Sequence, residues 1–285
     1  MPTTLTDQIY YRIIGEGMPV LMIHGMGVDH RTMKGCLEPV FQSRADQWKR
    51  IYLDLPGMGR TPAVDWIASS DELVSFLLSF IDQVIPDQPF LIAGESYGGY
   101  LARGLIHHRQ EPVAGLLLIC PLVKARDDQR DVPPCTVLRR NPTLQRELTA
   151  EQRTFVDLFL ADQNQANWER FRAEMLLPFQ TGDHAFQSKI RDAPDAYALS
   201  FDVDELDHPF EKPTLILAGR QDCLVGYRDA WKILDNYPRA SFVALDIAGH
   251  ALQIEQPTLF DALVHEWLDR VEQNKGQSPT GSDQP

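Results

Sequence analysis

Six apolar runs of strand length, each stopping near glycine, proline or an acidic residue, constrain this chain more than any other feature. They are VLMIHG (20–25), RIYLDLPG (50–57), FLIAGES (90–96), GLLLICP (115–121), TLILAGRQD (214–222) and SFVALDIAGH (241–250). Strands exposed on one face would alternate polar with apolar residues. These do not, so they read as strands buried on both faces, as in a parallel sheet. Helical patterns lie between them. In SSDELVSFLLSFIDQVIP, residues Leu73, Phe76, Leu77, Phe80, Ile81 and Val84 mark one face. Ser69 and Glu72 have capping-box spacing at the start of that helix, and Pro86 lies beyond its end. A second helix is expected from about Pro257 to Val271, burying Leu259, Phe260, Leu263, Val264, Trp267 and Leu268. Strands alternating with helices predict an α/β fold, a mostly parallel sheet flanked by helices.

The alternation breaks between about Leu122 and Pro209, where LTAEQRTFVDLFLADQ and QANWERFRAEMLLPF read as amphipathic helices only. The expected organisation is a core of residues 1–121 and 210–272, an inserted helical layer at 122–209 and a polar, disordered tail at 273–285. Layers of that kind often cover sites. A net charge of −13 would repel phosphate backbones and anionic membrane surfaces, which speaks against nucleic acid as a partner. No apolar run is long enough to span a bilayer, and the first residues lack the basic-then-apolar layout of a secretory signal. Cys36, Cys120, Cys135 and Cys223 are widely spaced, with no CxxC pair. They are expected to be reduced and structural, in a cytoplasmic protein, and no metal or cofactor is implied.

The stretch FLIAGESYGGY sets Ser96 between Gly94 and Gly98 where a strand turns into a helix. G-x-S-x-G on such a turn projects the serine hydroxyl from the sheet end and leaves the next amide, that of Tyr97, facing the same space. A serine at its ordinary pKa needs a base. Of eight histidines, His250 ends the last apolar run and is preceded by Gly249, while His107 and His108 fall at the far end of the helix after Ser96. Asp222 follows the run LILAG directly and is the expected orienting carboxylate; Asp127 and Asp128, after the preceding strand, are the second choice. The second oxyanion donor is expected from HGMG (24–27), as the Met26 amide, with His24 a structural hydrogen-bonder. Gly25 and Gly27, with Asp54 ending the next strand, hint at a dinucleotide site. His30 stands where the third glycine would be, however, and no clean helix is expected there.

Taken in order, HGMG, DLPGMGRT, GESYGG, GRQD and AGH resemble the α/β-hydrolase superfamily over roughly residues 8–272. The resemblance implies an eight-stranded sheet with a helical cap inserted after the sixth strand. Only about twenty residues precede HGMG, so the usual N-terminal antiparallel strands must be short or one missing. It further implies a serine hydrolase in which Ser96 attacks a carbonyl, His250 shuttles the proton and Asp222 orients it, through a covalent acyl-enzyme. The expected substrate is a small or medium-sized carboxylester. Cleavage of a carbon–carbon bond in a β-diketone-like metabolite, or a low-turnover ligand receptor that keeps the triad, are the alternatives. Trp168 and Phe171, on the inserted helices, are expected to line the substrate pocket.

Overall fold

The structure, a computed structural model, describes residues 8–275. All six apolar runs form strands of one sheet: β2 (Met18–Ile23), β3 (Trp48–Leu53), β4 (Phe90–Glu95), β5 (Val113–Ile119), β6 (Thr214–Gly219) and β7 (Ala240–Leu245). They are mutually parallel. A seventh strand, β1 (Tyr11–Ile14), pairs antiparallel with β3, and the sheet order is β1-β3-β2-β4-β5-β6-β7. The sheet therefore has seven strands among the described residues, not eight. The inserted helices follow the fifth described strand in chain order, because among the described residues the N-terminal antiparallel portion is a single short strand.

The chain runs from β2 outward to β3, then returns past β2 to β4. Such a reversal opens a crevice at the carboxyl ends of β2 and β4, the usual place for a ligand in an open parallel sheet. Helices α1 (His30–Phe41), α2 (Ser70–Val84) and α3 (Tyr97–His108) flank the sheet with the C-terminal helix Pro257–Lys275. Ser69 caps α2 by accepting the Glu72 amide, while the Glu72 carboxylate reaches back to the amide of Ala68. Apolar residues of both layers bury the central strands completely; Val20–Ile23, Leu91–Ala93 and Leu116–Ile119 have no exposed surface.

Three local expectations need correction. A clean helix does open at His30, because the Asp29 side chain caps it through the Arg31 amide. The C-terminal helix runs to Lys275, so residues 273–275 of the expected tail are helical; residues 276–285 lie outside the described residues. Leu259, placed on the buried side of that helix, is exposed.

Between β5 and β6 lie short helices, among them Ala150–Phe159, Gln165–Phe171 and His184–Arg191. Leu144, Leu148, Val156, Leu160, Trp168 and Phe171 form a small core there, closed on the sheet side by Val28, Ala251 and Ile254. The inserted layer therefore rests on the loops that follow β2 and β7. Cys135 and Cys223 are joined by a disulfide, whereas Cys36 and Cys120 are free and buried. This corrects the expectation of four reduced cysteines and removes the ground on which a cytoplasmic setting was argued. A separation of 88 residues gives no spacing signal; the fold brings the segment ahead of the inserted helices beside the loop after β6. No helix among the described residues is long and apolar enough to cross a membrane.

Candidate active site

Ser96 joins β4 to α3 with φ 51° and ψ −117°, a left-handed backbone that serine rarely adopts. Its amide donates to Ile119 O at 2.9 Å, and its carbonyl accepts the Leu122 amide at 3.0 Å besides those of Gly99 and Tyr100 in the helix. The flanking glycines permit the turn by close approach. A Cβ at Gly94 would lie 2.5 Å from the Gly98 carbonyl oxygen, and one at Gly98 would lie 2.2 Å from Ile23 O. Both obstacles are backbone, so no rotamer relieves them.

His250 sits in the turn beyond β7, which stops at Leu245. Its Nε2 is 3.0 Å from Ser96 Oγ, and its Nδ1 is 2.8 Å from Asp222 Oδ2. Asp222, at the carboxyl end of β6, is fully buried, and its other oxygen accepts the amides of Leu224 and Val225 at 2.9 and 3.2 Å. Because a carboxylate can only accept, neutral His250 carries its proton on Nδ1, and Nε2 is left to accept the serine proton. Burial by itself would lower the His250 pKa; the charge and hydrogen bond of Asp222, with the Glu95 charge, outweigh it and raise the pKa above 6.5. Burial pushes the other way on Asp222, yet the His250 charge and the hydrogen bonds it receives hold its pKa below the usual carboxylate value. Asp127 and Asp128, the second-choice acids, are exposed, and Asp127 pairs with Arg130 at 2.7 Å.

The His250 turn has a brace that the sequence did not reveal. Glu255 accepts the Gly249 amide at 2.6 Å and the Asp162 amide at 2.8 Å, tying the turn to the inserted layer. Burial pushes its carboxyl up to about 8.

Met26 and Ser96 line one cavity, and the intervening glycine brings the loop after β2 against the serine: a Cβ at Gly25 would lie 3.2 Å from Ser96 Cβ. The Tyr97 amide opens α3, among the helix N-terminal amides that have no intrahelical acceptor. His24 is fully buried; its Nε2 accepts the Leu55 amide at 3.0 Å and its Nδ1 lies 2.8 Å from Gly25 O. That arrangement fixes the loop and leaves neither nitrogen for chemistry. Asp54, the residue of the dinucleotide alternative, accepts from His30 N, His30 Nδ1 and Arg60 N. Asp29, His30 and Asp54 lie close enough together to hold a metal, as do Cys120, Asp222 and His250. The carboxylates and imidazoles of both sets are already engaged with protein partners.

The cavity over Ser96 measures about 290 Å³, and its apolar walls include Val28, Phe155, Phe159, Met175, Phe179 and Leu224. Glu95, Arg130, Arg191, Tyr197 and His250 supply the polar lining. Trp168 and Phe171 are not among its walls. They pack inside the small core of the inserted layer, Phe171 with only 1% of its surface exposed. An amphipathic stripe reports burial without saying whether the covering is core or ligand. Phe155 and Phe159, one turn apart on the same helix, line the cavity instead, with Phe159 5.5 Å from the His250 ring.

The family model described as alpha/beta hydrolase family matches residues 20–263. Pimeloyl-[acyl-carrier protein] methyl ester esterase of Legionella pneumophila (strain Paris) is 25% identical over 264 residues, 89% of this chain and 96% of its own. A 2-hydroxy-6-oxo-6-(2'-aminophenyl)hexa-2,4-dienoic acid hydrolase of Metapseudomonas resinovorans is 24% identical, over 91% of this chain and 87% of its own. Among solved structures, an alpha/beta superfamily hydrolase from Oenococcus oeni PSU-1 superposes with a TM-score of 0.82 at 26% identity, covering 93% of this chain and 97% of the other. With a parallel sheet, a strained serine turn and a match that spans most of its length, the chain belongs to the alpha/beta hydrolase family.

Proposed function

We propose that this protein is a serine carboxylester hydrolase for small or medium-sized acyl groups. The observation that carries the reading is the line Ser96 Oγ, His250 Nε2, Nδ1 and Asp222 Oδ2, with contacts of 3.0 and 2.8 Å, opening into an apolar cavity. In that chemistry Ser96 Oγ bonds to the ester carbon as its proton passes to Nε2. The carbonyl electron pair moves onto oxygen, between the amides of Met26 and Tyr97. The imidazolium then returns the proton to the departing alkoxide. Water repeats the sequence on the acyl-enzyme and frees the acid.

A liquid-water share of ~30 Å³ per molecule makes the cavity room for roughly ten heavy atoms. Each methylene buried there improves kcat/KM by up to about 0.8 kcal/mol until the space is filled. Rates on p-nitrophenyl esters are therefore expected to rise from acetate to a medium chain and then fall, and to vanish in Ser96→Ala. A flat chain-length profile would sink the apolar-pocket reading, and equal turnover in Ser96→Ala would sink the serine mechanism. Carbon–carbon hydrolysis is the second reading. Its support is a relative named as a dienoic acid hydrolase, together with the positive charge of Arg130 and Arg191 in the lining, each also paired with an aspartate of the protein. Turnover of a vinylogous 1,5-diketo acid without ester turnover would favour it.

A further inference from the structure

The residue between glycine and serine in GESYG is Glu95, the last residue of β4. Its side chain is 99% buried, and neither carboxyl oxygen makes a hydrogen bond of good geometry among the described residues, the Gly25 amide being the donor beside it. Buried carboxyl groups are ordinarily well satisfied, so a carboxyl this deeply buried with so little hydrogen bonding calls for a reason. The reason is directional. Oε1 lies 3.8 Å from His250 Nε2, the nitrogen that faces Ser96, whereas Asp222 holds Nδ1 on the opposite side of the ring.

The space for this carboxyl is reserved by the first glycine of HGMG. A Cβ at Gly25 would lie 2.5 Å from Glu95 Oε2. We infer that Glu95 is a second counter-ion for His250, an anion held beside Nε2 that stabilises the imidazolium formed when Ser96 attacks. It acts through His250 and takes no proton from the substrate. Resting on the serine-hydrolase reading, this adds a positioning residue to it.

The groups facing the pair are few. Around His250 they are Asp222, Glu95 and Arg130, the last opposing protonation. Around Glu95, burial pushes the carboxyl up to about 7; the His250 charge and the neighbouring Gly25 amide favour its ionised form, and Asp222 opposes it. The thiols of Cys36 on α1 and Cys120 beyond β5 also feel Glu95, but burial raises both well above their ordinary value, so they stay neutral near pH 7. Near neutral pH the Glu95 carboxyl is therefore ionised in much of the population, and more so once His250 is charged.

The test reads His250 directly and needs no substrate. In full-length Ser96→Ala protein, the His250 ring is titrated by NMR, assigned by its loss in a His250→Gln variant, with and without Glu95→Gln. An opposite charge within ~4–6 Å shifts a pKa by 1–3 units, so the His250 pKa is expected to fall by about one unit in Glu95→Gln. Glu95→Asp, which keeps the charge but withdraws it by one methylene, is expected to give a smaller fall, and it serves if the Gln variant does not fold. In protein with Ser96 intact, the acid limb of kcat on an ester is expected to move to lower pH with kcat reduced and KM unchanged. A His250 pKa that stays put or rises would overturn the inference even if esters are hydrolysed. Absence of ester turnover with a shifted His250 would instead overturn the hydrolase reading and leave the counter-ion in place.

Discussion

Replacing Gly98 by alanine sets two physical effects against each other at one atom. Gly98 lies in the first turn of α3, where alanine is the better helix former by about 1 kcal/mol. The new Cβ, however, would stand 2.2 Å from Ile23 O and 2.6 Å from His24 O. A carbon–oxygen contact closer than about 3.3 Å is repulsive, so the end of β2 must retreat by about 1 Å. Overpacking against side chains costs about 1–3 kcal/mol, and here no side chain can turn away, so the upper figure applies. Net destabilisation of about 2 kcal/mol or more follows, which for a chain of this size lowers Tm by about 4–8 °C. The same retreat moves the HGMG loop away from Ser96, and a displacement of 1 Å is worth about 10²-fold in rate. Gly104→Ala, in the same helix, is the control. The nearest atoms to its Cβ would be the side-chain ends of Val74 and Leu199 at 3.0 and 3.2 Å, which can turn aside, so the helix gain roughly cancels a small packing cost. Thermal denaturation and steady-state ester turnover of both variants decide the matter. Gly98→Ala with unchanged Tm and rate would refute the close-approach account of the serine turn.

Ester turnover is expected to fall as pH drops, along a limb above about 6.5, because the base must be neutral and Asp222 raises the His250 pKa. A pH–rate profile that stays level down to pH 5 would exclude His250 as that base. Asp222→Asn cannot hold the Nδ1–H tautomer and should lower kcat by about 10⁴-fold with the fold intact, a loss that near-normal kinetics would contradict. The Cys135–Cys223 bond closes a loop of 88 residues, for which chain entropy gives about 4–5 kcal/mol. The Cys135→Ser/Cys223→Ser double variant should therefore melt well below the oxidised protein, and equal Tm values would show that the bond contributes nothing.

The sheet was legible because completely buried strands leave an unambiguous record, and each of the six runs became a strand. Strand β1 left no such record: Tyr11–Ile14 is four residues long and partly exposed, with Arg12 inside it. The three residues brought together at the crevice were also legible, since Ser96, Asp222 and His250 each follow a strand end and the turn around Ser96 needs glycines at fixed positions. What escaped was set by tertiary contact. Phe155 and Trp168 are both aromatic residues on amphipathic helices, and only the packing of the inserted layer turns one to the cavity and the other inward. Glu95 was in plain view inside the serine motif. Its burial against a histidine 155 positions further along the chain was not. Cys135 and Cys223 belong to the same class of long-range fact.

Ser96 is the nucleophile of the proposed chemistry, and active-site labelling measures that. A fluorophosphonate reagent should add once per chain, on the peptide that carries Ser96, with ester turnover lost in proportion to the label and labelling slowed greatly in His250→Ala. Inactivation with the adduct on another residue, or a chain fully labelled at Ser96 that still hydrolyses esters, would contradict it.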